Sequence, residues 1–214
     1  MQVSEAISSR RSIKQFDADH RLSAAEIEYL YRHARLAPTS FNIQHSRFIR
    51  ITDPQLRARI RPLAFDQPQV TDAAELVVIS ADVQAWQKAP QRYWHHAGSE
   101  KAAMIVDSLL AFYRDREWLQ RDEAIRSGAF AAQNLMLTAR ELGYDSCPMI
   151  GFDIEAVGRL IGLPDDHVVV MMLALGRAAG PAWERGGDLP ASEVIFENGF
   201  MQQLAASTAT VAAA

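Results

Sequence analysis

Arg10, Arg11, Ser12 and Lys14 fall within five positions of SSRRSIKQFD, near the start of a chain whose formal net charge is −4. Forked guanidinium donors, a hydroxyl and a point charge together suit a phosphate that carries a polar tail. The same string also suits the solvated face of a short N-terminal helix. A second polar set, Thr39, Ser40, Asn42 and Gln44, lies in LAPTSFNIQHSRFI, where the chain leaves a helix at proline and heads for a strand. Short polar side chains there suit a ligand's hydroxyls and carbonyls, with ordinary loop chemistry as the competing reading. In YDSCPMIGFD, Pro148 restricts the backbone and Gly151 allows main chain to approach a flat ligand closely, although a tight turn has the same composition.

Several chemistries lack their signatures. His95 and His96 are adjacent, and adjacent helical residues do not share a face. His20, His33, His45 and His167 are scattered without a ligand spacing, so surface or capping roles are expected and no metal site is assigned. Neither GxGxxG, GxxxxGK[ST] nor GxSxG occurs. The single cysteine, Cys147, sits before Pro148 in an apolar setting and reads as a buried inert thiol rather than a nucleophile.

These segments must be positioned by a core, and 214 residues of which 49% are apolar suffice for one large domain. The acidic balance argues against an extended nucleic-acid surface. The polar QVSEAISSRR after Met1 and the lack of a run of roughly 20 apolar residues lead to the expectation of a soluble, cytoplasmic protein. SAAE at Ser23 to Glu26 is a capping box, and Ile27, Leu30, Tyr31 and Ala34 continue it at helical spacing. SRFIRIT reads as a strand, followed by Asp53 and Pro54 opening a short helix to about Arg61. ELVVISAD, residues 75–82, reads as a buried strand, and Met104, Ile105, Leu109 and Phe112 predict a helix over about 99–118. SGAFAAQNLMLTARELG, residues 127–143, predicts a central helix capped by Ser127, and VVVMMLALG, residues 168–176, is the strongest strand pattern. Between them DSCPMIGFD reads as a strand or extended turn, and Asp153 caps a short helix ending near Gly162. One domain is expected over 1–204, with the low-complexity 205–214 as a loose tail. The aromatics Trp86, Tyr93, Trp94, Phe112, Tyr113 and Trp118 form a second apolar region, either folded onto the chain's own core or offered to another chain.

The order RRSIK, PTSFNIQ, PMIGFD and LALG resembles the nitroreductase family of flavin mononucleotide (FMN) oxidoreductases, over nearly the whole chain from Ser9 to about Val194. The resemblance implies an α+β fold with a central mixed, mainly antiparallel sheet wrapped by helices, built as an intertwined homodimer with two flavin sites between subunits. It implies FMN as cofactor, NADH or NADPH as reductant, and ping-pong reduction of nitroaromatics, quinones or similar planar acceptors. Hydride would be carried at the flavin N5, with no side chain assigned as catalytic. A specialised member, such as a reductive dehalogenase or flavin-processing enzyme, and a non-catalytic flavin-binding dimer are the alternatives.

By matching motif, Arg10, Arg11 and Ser12 would hold the phosphate and ribityl chain, and Lys14 would approach the pyrimidine side of the ring. Thr39, Ser40 and Asn42, with Gln44 nearby, would reach the flavin of the neighbouring subunit. Gln69 falls where relatives place a lysine or glutamine near the ring's polar edge, and Asp66 where many place asparagine. Pro148, Met149, Ile150 and Gly151 would line the ring. Relatives usually place an arginine before a late LP, where this chain has Asp188; Arg185 or Arg177 would replace it. The segment from Ser192 to about Leu204 would extend across the partner.

Overall fold

A computed structural model of the protein describes residues 1–200. The chain divides into two compact units, Met1–Ala182 and the segment from Trp183 onward. The expected tail at 205–214 and the end of the expected arm near Leu204 lie outside the described residues.

The first unit opens with α1 (Val3–Ser9) and α2 (Ala24–Ala34). The capping box of α2 forms as its sequence predicts: Glu26 N donates to Ser23 Oγ at 3.3 Å, and Ser23 N donates to Glu26 Oε2 at 2.7 Å. β1 (Ser46–Arg50) follows, then α3 (Pro54–Leu63), which Asp53 caps by accepting from Gln55 N at 2.9 Å. Next come α4 (Gln69–Asp72), β2 (Glu75–Asp82), α5 (Ser99–Tyr113) and α6 (Glu117–Glu141). β3 (Asp145–Met149), α7 (Ile154–Leu160) and β4 (His167–Gly176) complete the unit. The second unit contributes α8 (Ala191–Val194), and its Trp183, Leu189, Ile195 and Phe200 are exposed.

Two sequence expectations change. The 99–118 helix stops at Tyr113, and Trp118 belongs to the next helix. Ser127 is not a cap: α6 begins ten residues earlier, at Glu117, and Ser127 is buried inside it. Its first turns face the protein with Gln120, Glu123 and Ala124 rather than with large apolar side chains, which hid them from a hydrophobic periodicity.

The sheet has the order β1-β2-β4-β3 with every neighbouring pair antiparallel. A parallel bridge from Ser12 to Ser146 adds the N-terminal segment outside β3 and makes the sheet mixed at that edge. Side chains alternate between two cores, as the strand pleat requires. Val78, Met172 and Ala174 pack with Ile60, Val157 and Cys147 on one face. Val77, Leu173 and Leu175 pack with Leu30, Leu135 and Ala132 on the other. With helices on both faces, β4 is apolar along nearly its whole length. Gly128 lets α6 approach β4 closely, since a Cβ there would meet Val170 Cγ2 at 2.5 Å. A third core gathers Ile43, Trp86, Tyr93, Leu109 and Tyr113, with Phe41 and Trp94 against it. Most of the expected aromatic region thus folds onto its own chain, leaving Phe112 and Trp118 exposed.

Candidate functional site

Buried Ile13 and Phe16 anchor the basic N-terminal string to the β3 edge. Ile13 N donates to Ser146 O at 3.0 Å, and Phe16 bridges Ala178. This places Arg10, Arg11 and Ser12 along the rim, partly or fully open to solvent, and directs half-buried Lys14 toward β3. Lys14 Nζ lies 3.6 Å from Cys147 Sγ. Burial raises the Cys147 thiol pKa, against the smaller opposing effects of Lys14 and Gln69, so the residue stays a thiol at neutral pH.

Gln69 opens α4 and reaches the same point, with Nε2 at 3.8 Å from Cys147 Sγ and 2.9 Å from Gln67 Oε1. Its Oε1 is buried with no hydrogen-bond partner among the described residues, as is Ser146 Oγ. Gln67, which the sequence did not single out, closes the chain of contacts by donating from Nε2 to Gly151 O at 3.0 Å. Phe65 and Asp66 take positive φ, near 54° each, in the turn before α4, and Phe65 Cε2 would lie 3.9 Å from a Cβ on Gly151. Pro148 is half-buried, Met149 is buried, and Ile150 and Gly151 are exposed beyond the end of β3. Lys14 and Gln69 therefore converge on Cys147, directly before the Pro148–Gly151 run, and the Gln69 amide oxygen there lacks a donor among the described residues.

The second polar set forms a rigid loop at the other edge. Phe41, Asn42 and Gln44 have φ of 48°, 55° and 55°, a left-handed conformation that costs about 1–3 kcal/mol for each non-glycine residue. Side-chain bonds hold it. Gln44 N donates to Thr39 Oγ1 at 3.1 Å, Asn42 Nδ2 donates to Tyr93 O at 3.2 Å, and Trp94 Nε1 donates to Phe41 O at 3.1 Å. Ser40 hydrogen-bonds the Tyr113 hydroxyl, whose pKa burial raises. Thr39 and Gln44 line a cavity of about 300 Å³ with Arg47, Phe48 and Ala131.

The first set attaches at the β3 edge and the second lies just before β1 at the opposite edge of the four-stranded sheet; β1 and β3 are themselves three strand spacings, about 14 Å, apart. Arg185 and Asp188 belong to the second unit, and Arg177 lies 3.9 Å from Asp17 as an exposed pair.

His45 departs from the surface role expected for the histidines. It is fully buried beneath the polar loop, and neither ring nitrogen has a partner among the described residues. Burial lowers its pKa to about 4; nearby Asp82 opposes that and Arg47 adds to it. His167 joins Asp82 and Asp166 in an acidic cluster, where Lys88 Nζ lies 2.8 Å and 2.6 Å from the two carboxylates and supplies the positive charge.

The nitroreductase family model matches residues 7–177. Protein DrgA of Synechocystis is 51% identical over 177 residues, 83% of this chain and 84% of its own length. FMN reductase (NADPH) of Bacillus subtilis is 28% identical over 198 residues, 91% of this chain and 72% of its own. A crystal structure from Exiguobacterium sibiricum, solved in complex with FMN, superposes with a TM-score of 0.85 at 26% identity, covering 92% of this chain and 98% of that one. Among the described residues, no helix is long and apolar enough to cross a membrane.

Proposed function

Because this chain belongs to the nitroreductase family, and with it to the oxidoreductases, we propose that it is an FMN-dependent NAD(P)H oxidoreductase acting on nitroaromatics, quinones or similar planar acceptors. The observation that carries this reading is the meeting of Lys14 Nζ and Gln69 Nε2 at Cys147 Sγ, directly before the Pro148–Gly151 run, with Gln69 Oε1 buried and unpartnered among the described residues. A buried amide oxygen without a donor loses roughly 1–3 kcal/mol. Lys14 and Gln69 would meet the polar edge of a bound flavin, where the ammonium would favour negative charge. The residues present fit the group.

FMN, when bound, supplies a ring that takes a hydride from reduced nicotinamide and hands it to an acceptor. The protein's task is to hold, orient and tune. Arg10, Arg11 and Ser12 would hold the phosphate and ribityl chain. Lys14 and Gln69 would set the polarity at the ring edge, and Pro148, Met149, Ile150 and Gly151 would line the ring. One open face that admits the reductant and then the acceptor gives ping-pong kinetics. No side chain is required as nucleophile or base.

Thr39, Ser40, Asn42 and Gln44 belong, in this reading, to the flavin site of a second copy, which makes the working unit a homodimer. Two observations support that assignment: the attachment of the two polar sets at opposite edges of the sheet, and the strained but fully braced loop that presents the second set. The exposed apolar side chains from Trp183 to Phe200 suit an arm laid over the partner. A cytoplasmic location goes with the use of reduced nicotinamide.

Replacing Arg10 and Arg11 together with alanine tests the phosphate assignment. Each lost charge-assisted bond is worth about 1.5–3 kcal/mol, so FMN affinity measured by fluorescence titration falls by at least about 100-fold while the far-UV spectrum is kept. Equal affinity in variant and parent would overturn the assignment.

A further inference from the structure

A cavity of about 430 Å³ opens between the start of α2, the end of β1, the start of α3 and the start of β2. Its lining carries three arginines, Arg21, Arg50 and Arg57, and one carboxylate, Glu75. Glu75 is already committed: Arg50 grips it with Nε to Oε1 at 2.6 Å and Nη2 to Oε2 at 3.1 Å, and Tyr31 donates to it at 2.6 Å. Arg57 is half-buried and held only by backbone carbonyls, with Nε donating to Ile51 O at 2.7 Å and its terminal nitrogens to Ala73 O and Ala74 O. Arg21 bonds only the carbonyls of its own turn, Ala18 and His20, through Nη1. Burial, together with the charge on Arg21, lowers the Arg57 pKa despite Glu75.

Two guanidinium groups from different elements thus face one cavity with no carboxylate bonded to either, and each retains unused N–H donors among the described residues. Arg21 is exposed, whereas Arg57 is held partly away from water with only the already engaged Glu75 as nearby counter-charge, and a bound anion would offset that cost. Thr52 adds to the lining a hydroxyl without a hydrogen bond among the described residues. None of the lining residues belongs to the flavin assignment.

We propose that this cavity binds a phosphate-class dianion, either inorganic phosphate or the phosphoryl group of a small phosphomonoester, between Arg21 and Arg57. Two forked donors carrying two net positive charges match a tetrahedral dianion better than a monovalent carboxylate. The site is independent of the proposed activity.

The test is calorimetric titration of FMN-saturated protein with inorganic phosphate, glycerol 3-phosphate and acetate, in chloride at matched ionic strength. Phosphate or glycerol 3-phosphate binds saturably; a response to the ester alone identifies a phosphomonoester as the ligand, and a response to both admits either source. Arg21→Gln, whose native bonds are local to one turn, weakens that binding by about tenfold, and Thr52→Val, which leaves every charge in place, by about threefold. Absence of saturable binding, unchanged affinity in Arg21→Gln, or equal binding of acetate overturns the proposal.

Discussion

Lowering the pH should weaken the fold through His45 before the carboxylates titrate. The imidazole is fully buried with two unpartnered nitrogens, and its pKa falls from an ordinary 6.5 to about 4. The neighbouring Asp82 does not rescue the charged form, because Arg47 and Lys88 already hold that carboxylate at 3.2 Å and 2.8 Å. A depressed histidine pKa means that the unfolded chain takes up a proton the native chain refuses. Stability from this source is therefore complete above pH 6.5 and is lost progressively as pH falls toward 4. Integrating between these values gives a loss of roughly 2 kcal/mol by pH 5. Urea denaturation at intervals from pH 7.5 to 5 measures it, with His45→Leu as the comparison. The parent should lose about 2 kcal/mol more than the variant over that range. Parallel pH dependence in the two proteins would show that the buried ring is not the proton-refusing group.

Two further perturbations address the packing and the site. Gly128→Ala forces a Cβ to within 2.5 Å of Val170 Cγ2, so thermal denaturation should show a loss of about 1–3 kcal/mol despite alanine's better helix propensity, and adding Val170→Ala should recover part of it. Recovery absent in the double variant would place the strain elsewhere. Lys14→Met removes the positive charge beside Gln69 and Cys147 while sparing Arg10 to Ser12; the flavin midpoint potential should fall and FMN affinity change little, and a redox titration with an unmoved midpoint counts against the role given to Lys14.

What could be read from the sequence follows the range of the interactions involved. The capping box at Ser23 and Glu26, the Asp53–Pro54 start and the strand Glu75–Asp82 are specified by neighbours within a few positions, and they occur where the pattern puts them. The beginning of α6 was not readable, because Gln120, Glu123 and the small residues Ala124, Ser127 and Gly128 face the protein instead of large apolar side chains. At the candidate site, the residue types carry chemical meaning, but their meeting does not. Lys14 reaches Cys147 only because Ser12 bridges Ser146 from the far end of the chain, and Gln67 enters only through its bond to Gly151. His45 had no signal at all, since a lone histidine between Gln44 and Ser46 looks the same buried or exposed. The charged cavity around Arg21 and Arg57 likewise needs four elements to be brought together before it exists.

The central claim is that this chain holds FMN and reduces it with a nicotinamide. An absorbance spectrum of the purified protein, recorded anaerobically before and after adding NADH or NADPH, tests both parts at once. The account predicts a yellow protein with flavin absorbance that bleaches with one or both nicotinamides and returns when a quinone or nitroaromatic is added. A colourless protein that takes up no FMN, or a bound flavin that neither nicotinamide bleaches, would contradict it.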